Sequence, residues 1–179
     1  MAARASMTEL ITRIRGLIHD PAGTSTTFTD QEIQDALDTW RDEARYLELT
    51  PLETLAPTGI IYRDYAAERG LWEADEILVD AAYEPLTPAT ADRLTGRWTF
   101  DDHTPPPVYI TGKTYDLHGA AADLLEQWAA AEKLSFDFGA DGAQYRRSQK
   151  VEMLLQLAAQ YRGRQRPRMI PQVRGDLAG

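Results

Sequence analysis

The middle of the chain carries proline and glycine at a spacing that no long helix tolerates. Between Pro51 and Lys113 these residues separate short runs rich in β-branched and aromatic side chains, at positions 60–62, 77–79, 97–100 and 108–110. Such runs are typical of strands, and four or five of them predict a small antiparallel sandwich or sheet. Residues 62–69, which end at Gly70, also fit two helical turns with a glycine cap, but we favour the strand.

Two helical patterns precede this segment. Met7, Leu10, Ile11, Ile14, Leu17 and Ile18 recur at three- and four-residue spacing, which predicts a first helix, and the six residues before Met7 are expected to form a loose leader. A capping box of Thr29 and Glu32 then predicts the start of a second helix. Its apolar seam is expected to run to just before Pro51 and consists of Ile33, Leu37, Trp40, Ala44 and Leu47.

Two more helical patterns follow the strands. Asp116 is expected to cap a third helix that runs to about Leu134, and a short loop at 135–142 leads to a last helix from about Ala143. The expected fold class is therefore α+β, mainly α. It consists of a four-helix bundle (residues 1–50 and 115–168), a small β-rich module (51–114) inserted between the second and third helices, and an extended C-terminal tail (169–179).

Charge is unevenly distributed along the 179 residues, whose net charge is -9. From Arg146 onward eight basic residues face two acidic ones, a net +6, so that residues 1–145 carry -15. A folded body that grips duplex DNA presents a basic face, whereas this acidic body suits a surface that DNA passes without sticking. Asp35, Asp38 and Asp42 are expected on one flank of the second helix, as a candidate acidic channel lining or as an ordinary solvated face.

No residue pattern indicates catalysis, a cofactor or a metal. The chain has no cysteine, and its histidines, His19, His103 and His118, stand far apart in the sequence. Residues 112–114 (Gly-Lys-Thr) spell the end of a phosphate loop, but Pro107 stands where that loop needs its first glycine, so we expect a turn there. No apolar run is long enough to span a membrane. We therefore predict no enzyme activity, no cofactor, no metal and no membrane partner.

The arginine-rich end is the most unusual feature of the composition. Arg162, Arg164, Arg166 and Arg168 alternate with other residues, so an extended backbone would point all four side chains the same way, and Arg174 adds to the charge. We expect an arm that orders against an acidic partner protein, or less readily against nucleic acid. A basic tail without fixed structure is the simpler alternative.

Several segments of the chain carry a family resemblance. They are residues 28–33 (Phe-Thr-Asp-Gln-Glu-Ile), 107–117 at the end of the β-rich module, 120–125, 137–142, Tyr145 and 147–149 (Arg-Ser-Gln). In this order, over residues 7–168, they resemble the head-tail connector (adaptor) proteins of tailed bacteriophages.

The resemblance implies a structural role in the virion. Such a protein would be made in the host cytoplasm and would form a homo-oligomeric ring, a dodecamer, beneath the portal protein at the head-tail interface. It would extend the channel through which double-stranded DNA passes without specific binding, and it would join the capsid to a stopper or tail-completion protein. The arginines from Arg162 onward are then expected to dock on the portal, and the β-rich module to face outward or toward the tail.

Two other functions compete with this reading. A small DNA-binding regulator would use the basic last helix and tail, and it would show salt-sensitive binding to free duplex. A small enzyme with a cleft between bundle and β-rich module is the weakest hypothesis, because no acid, base and nucleophile can be assembled from the sequence.

Overall fold

The chain folds into a mixed α/β structure, in which the strands of two antiparallel sheets lie between two pairs of helices along the sequence. The computed structural model describes residues 2–23, 25–57, 59–134 and 144–167. Within them the helices, after a 3-10 turn at Ala5–Met7, are α1 (Thr8–Ile18), α2 (Asp30–Thr39), α3 (Leu117–Leu134) and α4 (Gln144–Arg162). The expected mainly α four-helix bundle with a small β insert is therefore wrong.

In the part of the chain that the structure describes, eight strands form two sheets of four strands each. They are β1 (Arg41–Glu48), β2 (Thr50–Ala56), β3 (Gly59–Ala66), β4 (Ile77–Val79), β5 (Pro85–Leu86), β6 (Thr90–Asp92), β7 (Arg97–Thr99) and β8 (Tyr109–Tyr115). The first sheet has the order β1-β8-β4-β5 and the second β2-β3-β7-β6. The preference for a strand over a helix after Tyr62 is confirmed as far as Ala66. The expected turn at 112–114 is wrong, because these residues belong to β8.

The second helix is shorter than its apolar seam suggested. It ends at Thr39, and from Arg41 the chain pairs with β8 as strand β1. A register shift between Ala44 and Leu47 marks a β-bulge, and both side chains pack against the core between the sheets. Because a bulge adds one residue to a strand, side chains three positions apart can share a face. This spacing is also helical, which is why the sequence pattern misled.

The two sheets share one core built from large aromatic side chains. Tyr65 and Trp98 from the second sheet are fully buried beside Ile110 from the first. Trp72, in the segment between β3 and β4, meets Trp98 edge to face with ring centroids 5.8 Å apart. Aromatic pairs of this geometry add to the free energy gained by burying their area. The β-rich part therefore has a core of its own, larger than expected of a small inserted module.

The helices pack around α3. It contacts α1, α2 and α4, and its buried alanines and leucines lie at the centre of the helical core. The predicted caps are confirmed: Thr29 and Glu32 form the capping box of α2, and Asp116 accepts hydrogen bonds from the backbone N–H groups of His118 and Gly119 at the start of α3. Helix α4 is different, because only Ala158 and Tyr161 are buried among its described side chains.

Gly119 of α3 lies against the ring of Trp40, the residue that follows α2, and its replacement tests the packing. A Cβ atom at Gly119 would lie 2.4 Å from a ring carbon of Trp40, whereas a Cβ atom at exposed Gly16 in α1 would meet nothing within 4 Å. Gly119→Ala is expected to lower the free energy of unfolding by about 2 kcal/mol through overpacking. The control Gly16→Ala is expected to raise it by about 0.5–1 kcal/mol. Urea unfolding of both variants checks this, and equal effects would contradict the described packing.

Candidate functional site

The most concentrated polar site is the buried carboxylate of Glu73, in the segment between β3 and β4. Its side chain has no exposed area. Ser6 Oγ and Arg4 Nε donate to Glu73 Oε1 at 2.6 and 2.9 Å, and the Tyr115 hydroxyl donates to Oε2 at 2.6 Å. Lys113 Nζ adds a cation 3.4 Å from Oε2. The residues before α1, from Ala2 to Met7, are here called the N-terminal arm. One carboxylate thus joins this arm to strand β8.

Arg4 extends the same network to helix α2. Its two terminal nitrogens donate to the Asp38 carboxylate at 2.9 and 2.7 Å, a bidentate arrangement. Its backbone N–H donates to Gln34 Oε1 at 2.6 Å. The expectation of a loose leader before Met7 is therefore wrong from Ala3 to Ser6, because Ala3 packs against the helical core and the side chains of Arg4 and Ser6 bind Glu73.

Charge and burial define what this site can do chemically. Burial by itself would raise the pKa of Glu73, but the hydrogen bonds from Ser6, Tyr115 and Arg4 outweigh it and lower the pKa to about 2. Burial and the bond to Glu73 raise the pKa of Tyr115. A carboxylate with so low a pKa, already accepting hydrogen bonds from three residues, is a poor proton acceptor at neutral pH. The arrangement therefore suits a structural joint rather than acid-base chemistry.

The acidic candidates from the sequence do not form one surface. Asp35 is exposed on α2 and accepts a hydrogen bond from Gln31. Asp38 is paired with Arg4, and Asp42 lies on strand β1, 3.4 Å from an Arg69 nitrogen. The expectation that all three share a helix flank is wrong because α2 ends at Thr39. Of the three, Asp35 has no basic partner in the described part of the chain.

The first of the arginines is held by the protein's own body. Arg162 ends α4, donates to Asp123 and to Glu126 of α3, and stacks over the Trp40 ring at 5.7 Å. The expected extended alternation is therefore wrong at its start. Further along, Arg164 is exposed and the Arg166 backbone N–H donates to the Asp116 carboxylate. Arg168, Arg174 and the predicted tail at 169–179 lie outside the described residues, as does the loop at 135–142.

Two exposed apolar features were not found from the sequence. The first, here called the hairpin tip, is Leu55 of β2 and Ile60 of β3, which lie directly opposite each other. Leu55 is 87% exposed and Ile60 47%. The second, here called the outer groove, is a cavity of about 600 Å³ beside α4 lined by Lys133, Val151, Leu155 and Ala159 among others. The alternation of side chains along a strand and their spacing along a helix predict which residues share a face. Whether that face is buried depends on tertiary packing, which the local sequence does not show.

In comparisons with known proteins, no family model, curated protein or solved structure matches the chain. In the part of the chain that the structure describes, no three histidine, aspartate or glutamate side chains are placed to hold a metal ion. Among the same residues no helix has the length and apolarity to cross a bilayer.

The Arg162 contacts lead to a test of the last helix. Arg162→Ala removes ion pairs to Asp123 and Glu126 and the stacking on Trp40, and is expected to lower the free energy of unfolding by about 1–2 kcal/mol. Arg164→Ala, at an exposed position two residues later, is expected to change it by less than about 0.5 kcal/mol. Thermal unfolding of the two variants decides whether Arg162 has the internal role described.

Glu73 is expected to be the most sensitive polar position. Glu73→Gln leaves Arg4 and Tyr115 facing a neutral group in a buried site, and should cost about 3 kcal/mol of unfolding free energy. Asp75→Asn is the matched control, because Asp75 pairs with Lys113 at 2.6 Å but is 38% exposed, and should cost less than about 1 kcal/mol. If urea unfolding shows similar losses of unfolding free energy for the two variants, Glu73 does not hold these elements together.

The stability difference between wild type and Glu73→Gln is also expected to depend on pH. Glu73 has a pKa of about 2 when folded and near 4.5 when unfolded, so its ionised form stabilises the fold fully above pH 4.5. This contribution is lost as the pH falls toward 2. The stability difference between wild type and Glu73→Gln should therefore be constant at neutral pH and shrink between pH 4.5 and 2.

Proposed function

We propose that this chain is a head-tail connector (adaptor) subunit of a tailed bacteriophage, acting at the head-tail interface of the virion. Copies would form a ring beneath the portal protein, extend the DNA channel and join the capsid to a stopper or tail-completion protein. The observation that carries the proposal is the combination of an acidic body with apolar side chains exposed at two separate places. A channel subunit needs both, since it must repel DNA and bind its neighbours.

The charge of the body supports passage of DNA rather than its capture. Residues 1–145 carry -15, and phosphates are repelled by a surface of like sign. Arg162 adds little positive potential, because Asp123 and Glu126 already neutralise its guanidinium. Asp35 remains a candidate for the channel surface, while Asp38 and Asp42 have cationic partners. These contacts favour a connector over a DNA-binding regulator.

The remaining arginines are the proposed portal contacts. Arg164 is exposed directly after α4, and Arg168 and Arg174 follow it in the sequence. Arg166 belongs to the same set, although its backbone N–H also holds the Asp116 carboxylate. In this proposal Arg162 fixes the start of the segment on α3, and the later arginines reach an acidic surface of the portal through charge-assisted hydrogen bonds.

A binding experiment with the portal protein from the same genome tests the proposal. The chain is mixed with assembled portal, and the products are examined by native mass spectrometry and negative-stain microscopy. We expect a ring of this chain on the portal, and no salt-sensitive binding to free duplex DNA. A variant with Arg164, Arg168 and Arg174 changed to glutamate should keep its Tm and lose the complex.

Two outcomes would contradict the proposal. The first is an unaltered portal complex in the glutamate variant, which would remove the arginines from the interface. The second is no portal complex together with tight, salt-sensitive duplex binding, which would support the DNA-binding regulator instead. Arg166 is left unchanged in the variant because one of its guanidinium nitrogens is buried within the fold.

A further inference from the structure

Three tyrosines form an exposed cluster on the outer side of the first sheet. Because side chains alternate along β8, Tyr109 lies on the opposite face from Ile110, which belongs to the core between the sheets. The Tyr83 ring stacks on Tyr109 with centroids 6.1 Å apart, and it meets Tyr46 edge to face at 5.4 Å. Tyr46 is 58% exposed and Tyr83 62%. This cluster is here called the tyrosine face.

The strand β4 beside the tyrosines adds apolar side chains to the same surface. Val79 lies directly opposite Tyr109, and Ile77 lies opposite Thr111 of β8. The Tyr46 backbone N–H donates to Thr111 Oγ1, which places Ile77 and Tyr46 around the same residue. Ile77 is 57% exposed, so no described element covers this side of the sheet. Large apolar and aromatic side chains exposed together are typical of an interaction surface.

The backbone of two of these tyrosines is strained. Tyr46 has a φ of 50° and Tyr83 a φ of 63°, in the left-handed region that bulky residues rarely adopt. Asparagine or glycine would adopt the same backbone with less strain. Strained residues cluster at binding sites, where their side chains are needed for contact rather than for stability. Two strained tyrosines in one exposed cluster therefore favour a binding role for their rings.

The charges beside the tyrosine face are negative and free to bind a cation. Glu48 lies directly opposite Tyr109 across the sheet, and Glu84 follows Tyr83 in the turn between β4 and β5. Both glutamates are exposed, and neither has an ion pair among the described residues. The basic residues of the strands in this sheet are already paired, namely Arg41 and Arg45 with Glu43, and Lys113 with Asp75.

We propose that the tyrosine face binds a basic segment of a partner protein, with an arginine side chain of that segment lying over the tyrosine rings. The ring faces of tyrosine attract cations, and Glu48 and Glu84 supply carboxylates for the same guanidinium. Single-stranded nucleic acid also stacks on aromatic side chains, but its binding sites are positively charged. The free carboxylates therefore select a cationic partner over a phosphate backbone.

The identity of the partner rests on the proposed connector function. In that function the arginine-rich end of the chain is assigned to the portal protein. The tyrosine face belongs to a different part of the molecule, strands β1 and β8 and the turn after β4. The partner at this face is then the stopper or tail-completion protein.

A peptide titration tests the chemistry of the site without that partner. The probe is a hexapeptide with two adjacent arginines, and the reference is the same peptide with uncharged citrulline at both positions. Binding is followed by NMR through the ring protons of the tyrosines. We expect saturable shifts at Tyr46, Tyr83 and Tyr109, and about tenfold weaker binding of the citrulline peptide. Equal binding of the two peptides, or no shift of these rings, would overturn the proposal.

Variants of the tyrosine face separate the ring from the charges. Tyr83→Asn removes the ring at a backbone position that asparagine tolerates, so it should keep the wild-type Tm and bind the arginine peptide about fivefold more weakly. Tyr83→Phe keeps the ring face and should bind as wild type does. Glu48→Gln together with Glu84→Gln should also weaken binding about fivefold. The control pair Glu9→Gln with Glu53→Gln changes the net charge equally at exposed positions elsewhere and should leave binding unchanged.

Three results with these variants would contradict the proposal. Unchanged binding by Tyr83→Asn would remove the ring from the site. A loss in Tyr83→Phe as large as that in Tyr83→Asn would reject contact with the ring face. Equal weakening by the two glutamine pairs would show that only the overall charge of the chain matters.

The last experiment separates this inference from the function on which it rests. Rings of wild type and of Tyr83→Asn are assembled on the portal, and the stopper protein from the same genome is titrated onto each. We expect both rings to form and the variant ring to bind the stopper at least about fivefold more weakly. Equal stopper binding would reject the tyrosine face as its site and keep the connector function. Selective binding of the arginine peptide by a chain that forms no ring on the portal would keep the site and reject the connector function.

Discussion

The Glu73 carboxylate is the interaction on which the arrangement of this protein depends. It is fully buried between the helices and the sheets, where an unpaired charge would be very costly. Arg4 and Ser6 approach it from the N-terminal arm and Tyr115 from β8, and Arg4 also binds Asp38 of α2. The buried charge of Glu73 is stable only while the N-terminal arm, β8 and α2 are packed together. Each of these elements therefore depends on the others for its stability.

This dependence bears on the proposed connector role. A subunit that transmits force between capsid and tail needs its helical and β-rich parts to move as one body. The segment that carries Glu73 also places Trp72 against Trp98 and lets Glu76 accept from Trp98 Nε1 at 3.1 Å. The same short stretch of chain is therefore anchored in the helical core and in the core between the sheets. The hairpin tip and the outer groove lie outside this joint.

The sequence predicts those parts of the fold that depend on neighbouring residues. The capping box at Thr29 and Glu32, the Asp116 cap and the short strand runs follow from local hydrogen bonding and side-chain preference. The end of α2 could not be predicted, because a bulge gives Ala44 and Leu47 a helical spacing in a strand. This is a case in which pairing with a distant strand overrides the local pattern.

The candidate site was less predictable than the fold for the same reason. Arg4 and Glu73 are 69 residues apart, and nothing in either local sequence marks them as partners. The arginine-rich end was noticed from its composition, but the contacts of Arg162 with α3 depend on how α3 and α4 pack. Exposure of Leu55 and Leu155 is likewise a property of the folded chain, because each lies in an apolar pattern that could have been buried.

Native-state hydrogen exchange tests most directly whether the buried joint unites the two parts. The account predicts that the slowest amides of α3 and β8 and those of β3 and β7 in the second sheet exchange through one opening, with the same free energy and the same dependence on denaturant. Exchange from the second sheet at a distinctly lower free energy, while α3 stays protected, would show two independently unfolding parts and contradict the central role of Glu73.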